Sequence, residues 1–473
     1  MDETLFTIDL VIAILFTICY LHQFIYIPLT WILRRKENKK KTDVKLHDFA
    51  VLISARNEAV VIKDLIESIK SQTYPAEQVT VFVVADNCTD NTAEIARKAG
   101  AVVYERFNKT YVGKGYALNM LLSKIRADYP EKFDAFMVFD ADNILSPDFI
   151  EQMNITFSEG HEIITSYRNS KNYGSNWITM GYALWFIRES RYLNHARHLL
   201  NVSCAIGGTG FMFSRKVLEE NGGWPFHMLT EDIEFSANQI SKGRKIAFCA
   251  KAELFDEQPV KFSQSWRQRV RWSKGFLQVF KGYGCTLLKG AFKGSFSCFD
   301  IAMNIMPAFL LSSASLIANF AFGIVKAING ASILTPLYSL LGSIAGFSIA
   351  LFIIGCITVA TEWNHIHATT PRKILSVFAF PIFMLTYIPI SIAGILGKVS
   401  WKPIEHTVTA KSINMQSSTA TTDTVSTGKA LPGAYAASAY VGSSNSRSTN
   451  MRRNRPATLR TSKMPNIDKR IYK

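Results

Sequence analysis

The run from Ile8 to Leu33 constrains this chain most: 26 predominantly apolar residues, followed at once by the basic stretch "RRKENKKK". At about 1.5 Å of rise per residue, such a run crosses the roughly 30 Å hydrocarbon core of a bilayer with some tilt. A signal peptide would begin with a basic flank and end at a small-residue cleavage site, whereas Asp2, Glu3 and Asp9 stand at the start here. The Lys and Arg excess that follows puts the N-terminus outside and the residues after Arg34 in the cytoplasm. Whatever folds next does so beside a membrane.

The distribution of charge supports that setting. The 473 residues carry 53 Lys and Arg against 37 Asp and Glu, a net +16. Arg34–Lys45 holds +5 of it and the tail from Lys398 holds +10. Eight further basic residues fall in 261–293, where there is no acid, so the rest of the chain is net acidic. A nucleic-acid binder would show a basic domain; here positive charge flanks apolar segments, as an anionic membrane surface favours. Membrane lipids are expected partners and nucleic acid is not. The seven cysteines (Cys19, Cys88, Cys204, Cys249, Cys285, Cys298, Cys356) show no paired spacing, which suits reduced thiols better than disulfides or zinc.

Between Asp48 and about Pro259 short β-branched runs alternate with amphipathic helical ones. "FAVLISA", "VTVFVVAD" and "FDAFMVFDAD" read as buried strands, with "NTAEIARKAG" and "GYALNMLLSKI" as helices. This alternation predicts an α/β domain with a mostly parallel sheet that binds ligands beyond the carboxyl ends of its strands. Residues 261–298 mix aromatics with Lys and Arg, the composition of an interfacial helix. Two more apolar spans are expected at Ile301–Val325 and Pro336–Thr361. A third run, Ile374–Gly397, holds Pro381 and Pro389 and is expected as a re-entrant or broken helix. The Ser/Thr-rich basic tail has the composition of disorder. The division is then 1–33, an N-terminal span; 34–47, a basic linker; 48–260, the α/β domain; 261–298, interface helices; 299–398, two to three membrane or re-entrant segments; and 399–473, the tail.

Four constellations could carry chemistry. Asp140 and Asp142 are alternate residues at a strand end, so both carboxylates can face one hard cation; a strand-end turn also favours Asp, and the pattern is common. Asp86 ends another buried strand, where a carboxylate can accept from a base or a ribose, while Asp90 or Asn91 serves as the next helix cap. Gly113-Lys114-Gly115 precedes a helix and offers N–H groups and an ammonium to an anion, without the spacing of a P-loop. Gln268, Arg271 and Trp272 share one helix face, either as membrane anchors or as an apolar platform and a phosphate-binding cation. In "FHMLTEDIEF", Thr230 reads as a helix cap and Glu231 as a dipole partner; Ile233 excludes the reciprocal capping box. The pairs His195/His198 and His365/His367 have no third convergent ligand.

Taken in order, "VLISARNE", Asp86, "GKG", "DAD", "GGTGFMFSR", "TED" and "QRVRW", flanked by membrane spans, resemble the membrane-bound family 2 glycosyltransferases. That family includes cellulose, hyaluronan and poly-N-acetylglucosamine synthases. The resemblance covers about 48–285 and implies a GT-A fold and inverting transfer from a nucleotide sugar, usually a UDP-sugar, with Mg2+ or Mn2+. By motif position, Asp86 would contact the uridine and Lys114 the nucleotide or its phosphates. Arg56 and Glu58 would be nucleotide neighbours. Asp140 would belong to the carboxylate pair at the diphosphate and, with Asp142, hold the metal. Asp232 would be the general base, kept ionised by its helix dipole. Gln268, Arg271 and Trp272 would line the diphosphate and acceptor end, with Thr209 on the acceptor side.

Inversion is a single displacement needing one base and a stabilised leaving group, which agrees with the lack of a convincing Ser-His-Asp or Cys-His set. The acceptor is expected to be a growing β-linked polysaccharide, because Q-x-x-R-W is carried by the processive members of the family; UDP-glucose or UDP-N-acetylglucosamine would be the donor. A membrane lipid receiving one or two sugars is the alternative, because three or four segments make a narrow channel without a small membrane partner or a dimer. A catalytically idle scaffold would not need every acid in position, and a transporter would need more intramembrane charge.

Overall fold

The computed structural model describes residues 2–34, 43–306, 308–330, 332 and 334–397. Most of the basic linker and all of the basic tail lie outside the described residues. In chain order the elements are α1 (Asp2–Arg34), β1 (Phe49–Ala55), α2 (Ile62–Lys70), β2 (Val79–Asp86), α3 (Thr92–Lys98), β3 (Val102–Arg106), α4 (Lys114–Asp128), β4 (Ala135–Asp140), β5 (Ile144–Leu145), α5 (Phe149–Ser158), β6 (Ile163–Ser170) and α6 (Trp177–Arg188). There follow α7 (His195–Leu199), β7 (Phe211–Ser214), α8 (Arg215–Glu220), α9 (Glu231–Ser241), β8 (Ala247–Asp256), α10 (Phe262–Phe292), α11 (Phe296–Ile305), α12 (Ala308–Ile328), α13 (Leu334–Thr361), α14 (Thr370–Leu385) and α15 (Tyr387–Leu396).

The strands form one sheet in the order β3-β2-β1-β4-β7-β6-β8-β5. The half β3-β2-β1-β4 is parallel, as is β6 with β8; β7 runs antiparallel to both neighbours, and so does β5 to β8. β1 is apolar on both faces because helices cover both sides: Ala50 and Leu52 join one core, Val51 and Ile53 the other. Burying each such Leu, Ile or Val contributes about 1.5–3 kcal/mol. In register, Ser54 lies beside Asp140 and Ala55 beside Ala85. Asp86 and Asp140 therefore stand at the same sheet edge two strands apart, about 10 Å at the usual strand spacing. Chain reversals at this edge create the crevice expected of a parallel α/β sheet.

Among the described residues, three helical stretches are long and apolar enough to cross a bilayer: Phe6–Arg34, Leu340–Thr361 and Thr370–Leu396. The run Ile301–Val325, expected as one span, is instead divided between α11 and α12. Met306, which precedes a proline, is extended (φ −67°, ψ 124°), the conformation that a following pyrrolidine ring imposes. α11 also carries the buried Asp300, whose ion pair with Arg197 ties it to the α/β domain at 2.8 Å. The proline-bearing run 374–397 is broken, into α14 and α15, at Thr386. α14 packs on α6 and α13, while α15 packs on α10.

α10 is more than an interfacial helix. Gln264, Ser265, Arg269, Gly275, Val279, Gly284 and Leu287 are buried along it, and it rests on α9 and α11. Arg269, whose role the sequence did not reveal, points away from the crevice. It donates to Thr386 Oγ1 at 2.7 Å and lies 4.3 Å from the Phe383 ring centroid, which fixes the α14/α15 break against α10.

Candidate active site

One continuous cavity of about 910 Å³ starts at the carboxyl ends of β1, β2 and β4 and reaches the apolar helices. Every residue given a site role by the resemblance lines it except Thr209: Arg56, Glu58, Asp86, Lys114, Asp140, Asp142, Asp232, Gln268, Arg271 and Trp272. They converge because strand ends and the two helices α9 and α10 meet over one sheet edge.

At one end, the loop after β1 is stitched to the loop after β2. Asn57, in the left-handed region at φ 59°, accepts from Thr89 N at 2.8 Å, and Glu58 N donates to Thr92 Oγ1 at 2.8 Å. Asp90, not Asn91, caps α3, accepting from Thr92 N at 3.1 Å. Asp86 is nearly buried and takes a 2.5 Å hydrogen bond from Arg106 and one of 3.0 Å from Asn87, so its carboxylate is held in one orientation beside Arg56 and Glu58.

In the middle, Lys114 opens α4 and donates to Asp140 Oδ1 at 2.5 Å and to Gly208 O at 2.7 Å. Burial pulls its ammonium down, but the charges of Asp140 and Glu231, the hydrogen bond to Asp140 and the charge of Asp232 more than offset this and raise it. Asp142 accepts from Glu257 N at 3.0 Å. Thr209 sits elsewhere than expected: it is buried beneath the turn, accepting from Asp140 N at 3.0 Å and bonding Asn143, while Gly207 and Gly208 face the cavity. Its side chain therefore braces the Asp140–Asn143 turn.

Asp256 was missed, although it too ends a strand and the same positional argument applies. It pairs with Arg168, whose guanidinium also donates to Gly207 O at 2.6 Å. Burial raises the Asp256 carboxyl to about 6; Arg168 opposes this, and Asp142 and Asp140 add to it. The charges of Asp142 and Asp140 thus reach Asp256 through the interior, and Arg168 counters them.

At the far wall, the segment entering α9 is set by an aromatic cluster in which fully buried Trp224 lies 5.0 Å from Phe235 and 5.1 Å from Phe226. Gly115 lets α4 approach this segment: a Cβ there would come within 2.0 Å of Phe226 O. Glu234 then folds the loop back by accepting from His227 N and Met228 N, both at 2.8 Å. From the other side Arg271 donates to Leu229 O at 2.8 Å. Thr230 makes no side-chain cap; its hydroxyl is turned against Gly275 of α10, where a Cβ would lie 2.6 Å away. Tertiary packing has taken the threonine from its local role.

Asp232 and Glu231 both face the cavity. At Asp232, expected to be kept ionised by its helix dipole, burial raises the carboxyl, and the charge of Lys114 and hydrogen bonds from the Ile233 and Asp232 amides oppose that rise. Glu231 is raised to about 7, by burial first and then by the charge of Asp232. The two acids share one environment and titrate as a pair.

On α10, the Gln268 side-chain oxygen is buried without a hydrogen-bond partner among the described residues. Trp272 meets Tyr182 edge-on at 5.8 Å and keeps a face on the cavity. Polar groups left to be satisfied and an aromatic platform opposite a row of acids suit a polar ligand with a ring.

Residues 47–275, the segment that builds this site, match the protein-family model described as "Glycosyltransferase like family 2". The chain carries a family 2 glycosyltransferase domain. Its α/β architecture is GT-A-like, and the chain is a glycosyltransferase. It is 25% identical to the probable glycosyltransferase YdaM of Bacillus subtilis, over 69% of this chain and 74% of that one. It is 24% identical to β-monoglucosyldiacylglycerol synthase of Nostoc, over 60% of each chain. It is 27% identical to poly-β-1,6-N-acetyl-D-glucosamine synthase of Staphylococcus aureus, over 51% of this chain and 58% of that one. The alignments span less than two thirds of the last two relatives. Among solved structures, the glycosyltransferase is similar to a mannosyltransferase from Pyrobaculum calidifontis in complex with GDP-Man and Mn2+. That match has 17% identity and a TM-score of 0.49 over 82% of this chain and 98% of that one.

Proposed function

We propose that this glycosyltransferase moves a sugar from a UDP-sugar to a hydroxyl of a membrane lipid, with inversion at the anomeric carbon, on the cytoplasmic face of the membrane. The observation that carries this reading is the far end of the cavity. Beyond Trp272 it is lined by Phe16 and Phe24 of α1, Leu351 and Ile354 of α13, and Ile392 and Ile395 of α15. A polysaccharide presents several hydroxyls per residue and needs polar partners or stacking platforms along its path. Apolar walls supplied by helices long and apolar enough to cross a bilayer suit acyl chains instead.

Asp86, Arg56 and Glu58 would receive the nucleoside, and Lys114 and Arg271 the diphosphate, with the Lys114 ammonium passing from Asp140 to a phosphate oxygen. Asp140 and Asp142 would hold Mg2+ or Mn2+. Among the described residues no three His, Cys, Asp or Glu side chains form a cluster able to bind a metal alone. A hard cation held there by two carboxylates would take its other ligands from diphosphate and water. When bound, the metal supplies charge neutralisation of the diphosphate. Asp232 takes the proton of the acceptor hydroxyl as that oxygen bonds to the anomeric carbon from the face opposite the diphosphate. The anomeric carbon–phosphate oxygen bond breaks and its electron pair departs on UDP. A base raised above the ordinary carboxylate range abstracts this proton better than an ordinary aspartate would.

A growing polysaccharide remains the second reading, supported by Trp272 and Gln268 facing the cavity. Membranes bearing the enzyme, incubated with radiolabelled UDP-glucose or UDP-N-acetylglucosamine, separate the two. An organic-soluble labelled product supports the lipid; label confined to a large hydrophilic product removes it.

A further inference from the structure

Two arginines, Arg168 and Arg188, line the chamber between the catalytic acids and α1, and two more, Arg191 and Arg197, are buried near Arg188 in the chain; all but Arg188 have a carboxylate partner. Arg168 is bound by Asp256, Arg191 Nε lies 2.8 Å from Glu362, and both guanidinium arms of Arg197 reach Asp300 at 2.8 Å. Arg188 is different. It is only 7% exposed and lines the chamber, and its one side-chain hydrogen bond is a long one, 3.4 Å, to Gln23 of α1. Among the described residues no carboxylate lies within 4 Å of it. Its guanidinium also lies 5.5 Å from the Trp185 ring centroid, but a buried guanidinium without a contacting carboxylate is costly, and such groups are normally matched by a carboxylate or a phosphate. Burial pulls it down to about 10, an effect that Glu189 opposes and Arg197 reinforces.

We propose that Arg188 binds the phosphate of the acceptor lipid, which makes the acceptor an anionic phospholipid glycosylated on a headgroup hydroxyl rather than a neutral glyceride. This rests on the lipid-acceptor reading above. The donor does not need Arg188: its diphosphate has Lys114 and Arg271 at the sheet edge, whereas Arg188 touches α1. The following residue supports the same assignment. Glu189 begins the π-helical turn Glu189–Asn194, a rare geometry that re-aims side chains into sites. Its carboxylate lines the chamber and is within electrostatic reach of both Arg188 and Asp232. A phosphate on Arg188, a polyol hydroxyl accepted by Glu189 and a second hydroxyl at Asp232 describe a phosphodiester headgroup such as phosphoglycerol. The bond changes are those of the general reaction: the headgroup oxygen bonds to the anomeric carbon, its proton goes to Asp232, and UDP leaves with the electron pair.

The test uses the full-length enzyme in phosphatidylcholine nanodiscs doped with phosphatidylglycerol, diacylglycerol or polyprenyl phosphate, with radiolabelled UDP-glucose and UDP-N-acetylglucosamine. The wild type is expected to favour phosphatidylglycerol over diacylglycerol by roughly ten- to a hundredfold in kcat/KM, the range for a charge-assisted hydrogen bond. Arg188→Gln should bring the ratio close to one through KM, and Arg188→Lys should restore most of it. Equal or better use of diacylglycerol by the wild type overturns the proposal but leaves the lipid reading standing, and that comparison needs no variant. Preference for polyprenyl phosphate overturns it too, since the phosphate would then be the nucleophile at Asp232. An unchanged ratio in Arg188→Gln does the same. Polymer as the sole labelled product removes the lipid reading itself.

Discussion

Asp232 is pulled in two directions. Its own helix amides and Lys114 favour the carboxylate, burial favours the acid, and burial prevails. With Glu231 raised to about 7, activity that needs an ionised base is present at alkaline pH and is lost as pH falls through the pair. The acidic limb of kcat/KM should therefore lie above the ordinary aspartate range. Glu231→Gln should move that limb to lower pH by removing a like charge; an unmoved limb would separate Glu231 from the base. Asp232→Asn should lower kcat by roughly 10²–10⁴, while calorimetry still detects UDP binding. Full activity in that variant ends the role proposed for Asp232. The acids of "DAD" and "TED" were legible because strand ends and helix starts are. Asp256 was equally legible by position. Arg168, Arg188 and Glu189 were not, since nothing local distinguishes a chamber-facing arginine from a surface one.

At the scale of elements, the site depends on how closely α10 and α4 approach the loop before α9. Gly275→Ala puts a methyl 2.6 Å from the Thr230 side chain, an overpacking that costs about 1–3 kcal/mol. It should also lower kcat by shifting Asp232. Adding Thr230→Ala removes the two nearest atoms, so the double variant should recover part of both losses; additive losses would show that the contact is not the cause. The strand ends make a second prediction. Chelation by EDTA should abolish transfer and Mn2+ or Mg2+ should restore it, with Asp142→Asn needing a higher metal concentration for half-maximal rate. Transfer that persists in EDTA would remove the metal from this site. The break of Ile301–Val325 into two helices follows from the proline after Met306, a local signal, whereas the burial of α10 depended in part on α15, more than a hundred residues away.

At the scale of the whole molecule, a buried network joins α1, α7 and α11. Asp300 accepts from Arg197 twice at 2.8 Å and from Tyr26 at 2.6 Å, with His22 at 3.2 Å. Asp300→Asn leaves a buried guanidinium under-compensated, which should cost about 3–5 kcal/mol and lower the unfolding temperature of the detergent-solubilised protein. An unchanged midpoint would show the network to be dispensable. Its effect is to hold α1 against the domain, so that one cavity runs from the nucleotide end of the sheet to the apolar helices. The apolar segments, the α/β alternation and the acids at the strand ends were legible from local sequence, because each rests on periodicity or on a turn within a few residues. Only the packed chain set the burial that raises Asp232, turned Thr230 against Gly275 instead of capping, and left Arg188 without a contacting carboxylate among the described residues. Those outcomes depend on desolvation and on neighbours distant in the chain, and neither is written in any local stretch of sequence.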